Sequence, residues 1–65
     1  MKIVVNGTPT TTHAETLERL LAELGKADAK VATAVNEDFV PVPSRASHRL
    51  HDGDRVEIVA PHQGG

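Results

Sequence analysis

The sequence predicts an α+β fold: one mixed sheet, with a single amphipathic helix covering one of its faces. Three observations lead there. Apolar residues recur at Leu17, Leu20, Leu21 and Leu24, the i, i+3, i+4, i+7 spacing of a helix stripe. Short β-branched runs open the chain at Ile3-Val4-Val5, recur at Val31 to Val35, and return between Arg55 and Ala60. Asn6-Gly7 and Asp52-Gly53 stand beside those runs as tight-turn signals. One helix can bury only one face of a sheet, so two layers follow.

The first element is a hairpin. Met1 to Val5 is apolar apart from Lys2, and Asn6-Gly7 suits the two positive φ values of a type I′ turn. Thr8 to Thr12 is the expected partner strand, and Pro9 confines it to an edge because proline has no N–H for a ladder. Thr12-His13-Ala14-Glu15 fits a capping box, a threonine followed three residues later by a glutamate. The leucine stripe follows, and Gly25 stands where a left-handed C-cap is expected. Val31 to Val35 reads as a strand, Asn36-Glu37-Asp38 as a turn, and Phe39-Val40 as a short return strand ended by Pro41 and Pro43. Ser44 to Leu50 is polar and irregular. His51 to Asp54 makes a second turn, and Arg55 to Ala60 alternates as a final strand stopped by Pro61. The expected core is Ile3, Val5, Leu17, Leu20, Leu21, Leu24, Val31, Val35, Val40, Leu50, Val56 and Ile58. The first and last strands are expected side by side at the sheet centre.

The chain has 65 residues, enough for one domain, here taken as 1–61 with a tail over 62–65. Phe39 is the only aromatic residue, which excludes a stacking platform for single-stranded nucleic acid. Seven Lys and Arg against nine Asp and Glu give a net charge of -2, so no phosphate-tracking or anionic-membrane surface is expected. No apolar run approaches the ~20 residues of a membrane helix. The start does not read as a signal peptide, and a cytoplasmic location is expected. A chain this short leaves little room for a pocket of the usual ~300 Å³, so a part in chemistry is expected as substrate or carrier rather than catalyst.

His48 and His51 stand at i, i+3, but nothing else is spaced to complete a metal site, and no metal is expected. Glu15 reads as a capping residue rather than a catalytic acid, and Asp52 and Asp54 as turn formers. No nucleophile-and-base spacing stands out. No catalytic residue is expected in this chain. The chain holds no cysteine and no phosphate-binding glycine loop. Gly64-Gly65 is the one feature that looks chemical: a tail without side chains can thread a narrow channel and present its carboxylate to another protein.

Val31-Ala32-Thr33-Ala34-Val35-Asn36, then Val40-Pro41, Leu50, Asp52-Gly53-Asp54-Arg55-Val56-Glu57-Ile58-Val59 and the final Gly64-Gly65 follow one another at characteristic spacing. Over essentially its whole length the chain resembles the thiamine-biosynthesis sulfur carriers, small ubiquitin-like proteins of β-grasp fold. The resemblance implies a cycle on the C-terminal carboxylate. An E1-like adenylating enzyme activates Gly65 with its own ATP and magnesium. A sulfur donor (a cysteine desulfurase or similar) converts it to a thiocarboxylate, and thiazole synthase takes the sulfur. Gly64 is then the flexible approach, and the carrier itself binds no cofactor. Val42 and Arg45 depart from the arginine and aromatic residue usual after Val-Pro, and His62 stands at a tail position that is usually apolar. Those departures fall on a loop and a tail read as docking surface. Alternatives sharing fold and tail are the small subunit of molybdopterin synthase, usually longer, and a ubiquitin-like modifier joined to lysines through Gly65. A plain interaction module with idle terminal glycines is a third.

Overall fold

The computed structural model describes residues 1–61; His62, Gly64, Gly65 and the rest of the expected tail 62–65 lie outside the described residues. Five strands, β1 (Lys2–Val5), β2 (Thr8–Thr11), β3 (Ala32–Val35), β4 (Asp38–Val40) and β5 (Arg55–Val59), form one sheet in the order β2-β1-β5-β3-β4. β1 and β5 are parallel neighbours, and the other pairings are antiparallel. The first and last strands thus lie together inside the sheet, as expected. Helix α1 (Leu17–Glu23) connects the two halves, and a 3-10 turn (Val42–Ser44) follows β4.

Both hairpins turn on two residues of positive φ. Asn6 (φ 49°) and Gly7 (φ 80°) join β1 to β2 with Val5 opposite Thr8. That flanking pair is hydrogen-bonded, so the next pair, Val4 and Pro9, is not, and the missing N–H of Pro9 faces away from β1. Asn36 (φ 51°) and Glu37 (φ 74°) repeat the geometry between β3 and β4. The turn is one residue tighter than the sequence suggested, and Asp38 already belongs to β4.

The helix start differs from the expected capping box. Its N-cap is Thr16, an extended residue (φ -129°, ψ 161°) whose Oγ1 accepts from the Arg19 N–H at 3.3 Å. Thr12 is buried, accepts from the Ala14 N–H at 2.9 Å, and donates to the Glu23 carboxylate. Glu15 turns outward to Arg49 at 3.1 Å. With Thr12 held by its own loop and by the far end of α1, no free hydroxyl remains there to start a helix. The other exposed amides of the first turn are taken by the loop read as irregular: Leu17 N–H donates to the His48 carbonyl (3.0 Å) and Glu18 N–H to the Arg45 carbonyl (3.2 Å). At the other end Gly25 (φ 74°) donates to the Ala22 carbonyl at 3.1 Å and Lys26 to the Leu21 carbonyl at 2.8 Å. This is the paired-bond left-handed cap.

The core lies between α1 and the inner face of the sheet. Ile3, Leu17, Leu20, Leu21, Val35, Val40, Leu50, Val56 and Ile58 are buried as expected, with Val5 and Val31 half-buried against them. Leu24 is the exception. The helix ends at Glu23, and the cap leaves Leu24 37% exposed. Ala14, Thr12, Thr33 and Arg45 are buried beyond the expectation.

Candidate functional site

β5 carries the chain through the middle of the sheet to Val59, six positions before Gly65. Its start is tied to its neighbours by side chains. Asp54 accepts from the His51 N–H at 2.8 Å and from Asn36 Nδ2 at 3.0 Å, while Asn36 Oδ1 accepts from the Arg55 N–H at 3.0 Å. Asp52 accepts from the Lys2 N–H at 2.7 Å. Asp52 and Asp54 are therefore turn formers, as the sequence suggested. Gly53 between them has φ 86°, which lets the Asp54 N–H close back on the His51 carbonyl at 3.0 Å.

Among the described residues no helix covers the second face of the sheet. Alternation puts Glu57 and Val59 of β5, Ala32 and Ala34 of β3 and Phe39 of β4 there. The register sets Ala34 between Glu57 and Phe39, and Ala32 beside Val59. Phe39 is 68% and Val59 59% exposed. Single exposed apolar side chains are ordinary. Here two large ones lie on one face, with Ala32 and Ala34 of β3 between them.

Val42 and Arg45, the two departures in the loop after β4, have opposite fates. Val42 is exposed and available to a partner. Arg45 is buried: its Nε donates to Thr33 Oγ1 at 3.1 Å and its Nη2 to the Val31 carbonyl at 2.6 Å. Thr33 in turn donates to the Val40 carbonyl at 2.8 Å. Arg45 thus pins the loop over the edge of β3 and is not docking surface. A long stem that can cross apolar side chains to reach two acceptors explains its burial.

Among the described residues no group of three metal-ligating side chains comes together. His51 is exposed and 3.9 Å from Asp54, and His48 serves through its backbone carbonyl. A surface trough of about 770 Å³ runs between α1 and residues 46–49, larger than a chain this short was expected to offer. Its rims are charged, with Glu15, Glu18, Arg19, Glu23 and Arg49 among them. The Glu15–Arg49 pair across it is solvated, with side-chain exposures of 72% and 68%. Such a trough has polar rims and no enclosure for a ligand.

A model of the ThiS family matches residues 3–65. A relative from Thermus thermophilus, described as sulfur carrier protein ThiS, is 41% identical over 64 residues, 94% of this chain and 95% of its own. Another, from Paramagnetospirillum magneticum and described as thiazole synthase, is 46% identical over 66 residues. That match spans all of this chain but 20% of the longer protein. The crystal structure of a thiamine biosynthesis protein (ThiS) from Geobacter metallireducens superposes with a TM-score of 0.85 at 32% identity, covering 100% of both chains. A solution structure of a thiamine biosynthesis protein from the same organism gives 0.79 at 29% identity, over 100% of this chain and 88% of that one. The five-stranded sheet with a single helix on its inner face is the β-grasp arrangement, and with the family match it places this chain in the ThiS family.

Proposed function

We propose that the chain carries sulfur for thiamine biosynthesis and is loaded and unloaded at the carboxylate of Gly65. The observation that carries this reading is the family match, which runs to residue 65 and so takes in Gly64-Gly65. A carboxylate is anionic at neutral pH and resists nucleophiles, so it must first be activated. An E1-like adenylating enzyme joins it to the α-phosphorus of ATP, held with magnesium in that enzyme's own site, and pyrophosphate leaves. A sulfur donor, such as a cysteine desulfurase, brings sulfur as a persulfide whose terminal sulfur attacks the acyl carbon, and a thiol then reduces the resulting acyl disulfide and releases the donor. AMP departs and a thiocarboxylate remains. Thiazole synthase takes the sulfur and Gly65 returns to a carboxylate. The chain has no cysteine, so its terminus is the natural place for sulfur to be held.

In this reading the chain is a co-substrate, and Gly64 lets its end pass through a channel shaped for bare backbone. The uncovered sheet face bearing Phe39 and Val59 is the surface that brings a partner alongside. The relative described as thiazole synthase, which contains a stretch like this chain, supports that enzyme as one partner.

The test is direct. Incubated with the adenylating enzyme, ATP, magnesium and a sulfur donor, the chain gains the mass of one oxygen-for-sulfur exchange, and fragmentation puts it on Gly65. Amidating the terminus abolishes the gain. Sulfur uptake by the amidated chain, or a label on another residue, overturns the reading.

A further inference from the structure

The parallel ladder between β1 and β5 ends in an unusual way. Val4 N–H donates to the Asp54 carbonyl and Asn6 N–H to the Val56 carbonyl, both at 2.9 Å. To continue, the ladder needs the Asn6 carbonyl to accept from the Ile58 N–H, and an N–H two residues further on to donate to the Ile58 carbonyl. The main chain does neither, because Asn6 at φ 49° has begun the turn. Its side chain does both. Oδ1 accepts from the Ile58 N–H at 2.8 Å and Nδ2 donates to the Ile58 carbonyl at 3.0 Å.

We propose that Asn6 is a positioning residue for the activated terminus: its carboxamide replaces one peptide group of β1 and holds the outgoing end of β5. The proposal rests on the reading of Gly65 as the activated residue. On its other edge β5 pairs with β3 as far as Val59, opposite Ala32. With Asn6 in place, the end of β5 is held on both edges, Ile58 by Asn6 and the residues beside it by β3. Gly65 lies six residues beyond Val59. Those residues start from the end of β5, so a loosened Ile58 moves their point of departure. The reacting carboxylate is sensitive to such a shift, since misplacement by about an ångström already costs heavily in rate. Turn geometry by itself asks for asparagine or glycine here. Only a carboxamide also supplies one acceptor and one donor in the spacing of a peptide unit.

Asn6→Gly separates the two roles, because it keeps the positive φ and removes the carboxamide. Asn6→Asp keeps the acceptor and loses the donor. Two measurements on the full chain are decisive: amide hydrogen exchange, and the kcat and KM of adenylation by the partner enzyme with ATP. In Asn6→Gly, exchange at Ile58 rises about tenfold while the α1 amides keep their protection. The kcat of adenylation falls severalfold at unchanged KM, because docking is intact and only alignment is lost. Asn6→Asp also falls below the wild type, because its second oxygen faces the Ile58 carbonyl where the amide donated. Wild-type kcat in Asn6→Gly overturns the proposal. So does a loss accompanied by equal deprotection of α1, which marks a merely structural residue. Should Asn6→Gly not fold, wild-type exchange and kcat in Asn6→Asp overturn it equally. A wild-type chain that is never adenylated overturns the carrier reading itself, and this proposal with it.

Discussion

Leu20 and Leu24 occupy equivalent places in the leucine stripe, one turn apart, yet the structure treats them oppositely. Leu20 is 0% exposed and Leu24 37%. Leu20→Ala removes three buried carbons, worth about 2.4 kcal/mol at ~0.8 kcal/mol each. The cavity between α1 and the sheet adds to this, for a cost of about 2–5 kcal/mol. Leu24→Ala removes the same atoms from a side chain already partly in water and costs less than about 1 kcal/mol. A domain of this length has about 3–10 kcal/mol in total, so the first change takes much of the stability and the second little. Urea titration followed by far-ultraviolet circular dichroism measures both. With m of ~1 kcal/mol/M, the midpoint drops by about 2 M or more for Leu20→Ala and by under about 1 M for Leu24→Ala. A Leu20 variant already unfolded without urea lies at the upper end of its range. Equal midpoints would refute the assigned helix end at Glu23.

Two further outcomes follow from the structure. Thr16→Ala costs about 1 kcal/mol as the loss of an N-cap, while Glu15→Ala costs under about 0.5 kcal/mol because it breaks only a solvated ion pair; thermal melts with the reverse order would restore a cap at Thr12. Arg45→Lys costs about 1–3 kcal/mol, since an ammonium cannot serve the Thr33 hydroxyl and the Val31 carbonyl with the same fork. A double-mutant cycle of Arg45→Lys with Thr33→Val is non-additive, and strict additivity would show that the two side chains do not interact.

The architecture was legible where one physical signal dominates. Asn6-Gly7 marks a turn because few other pairs accept two positive φ values, and the leucine stripe marks α1 because only a helix puts those four residues together. The failures come where two local signals compete. Thr12 and Thr16 both precede the stripe, and Glu15 favours the first, but Thr12 is needed by Ala14 and Glu23 across the fold. Leu24 obeys the helical period but sits where the cap has already ended the helix. Arg45 reads as a surface charge in a polar loop, and its burial depends on acceptors at Thr33 in β3 and at Val31 just before it, twelve and fourteen positions away. Asn6 was readable as a turn residue, while its hold on Ile58 spans 52 positions and leaves no local mark.

The side-chain bonds of Asn6 and Asn36 meet on β5, and the reason lies in the topology. A strand inside a sheet needs partners on both edges along its whole length, but β1 and β3 overlap it with different ends. β3 pairs with it as far as Val59, whereas β1 turns away at Asn6. At its start, β5 receives Asn36 and Asp54 from the turns; at its end it receives Asn6. Side-chain amides thus supply what the shorter neighbours cannot, and short hairpins suffice where longer strands would otherwise be needed. With one helix spent on the inner face, the outer face keeps Phe39 of β4 and Val59 of β5 in water, the latter on the strand that delivers the chain to Pro61. On the proposed function, a partner that reads this face therefore takes its bearings from the strand that presents Gly65. Substitutions on the face act on docking, and substitutions at Asn6 on alignment, although both concern β5.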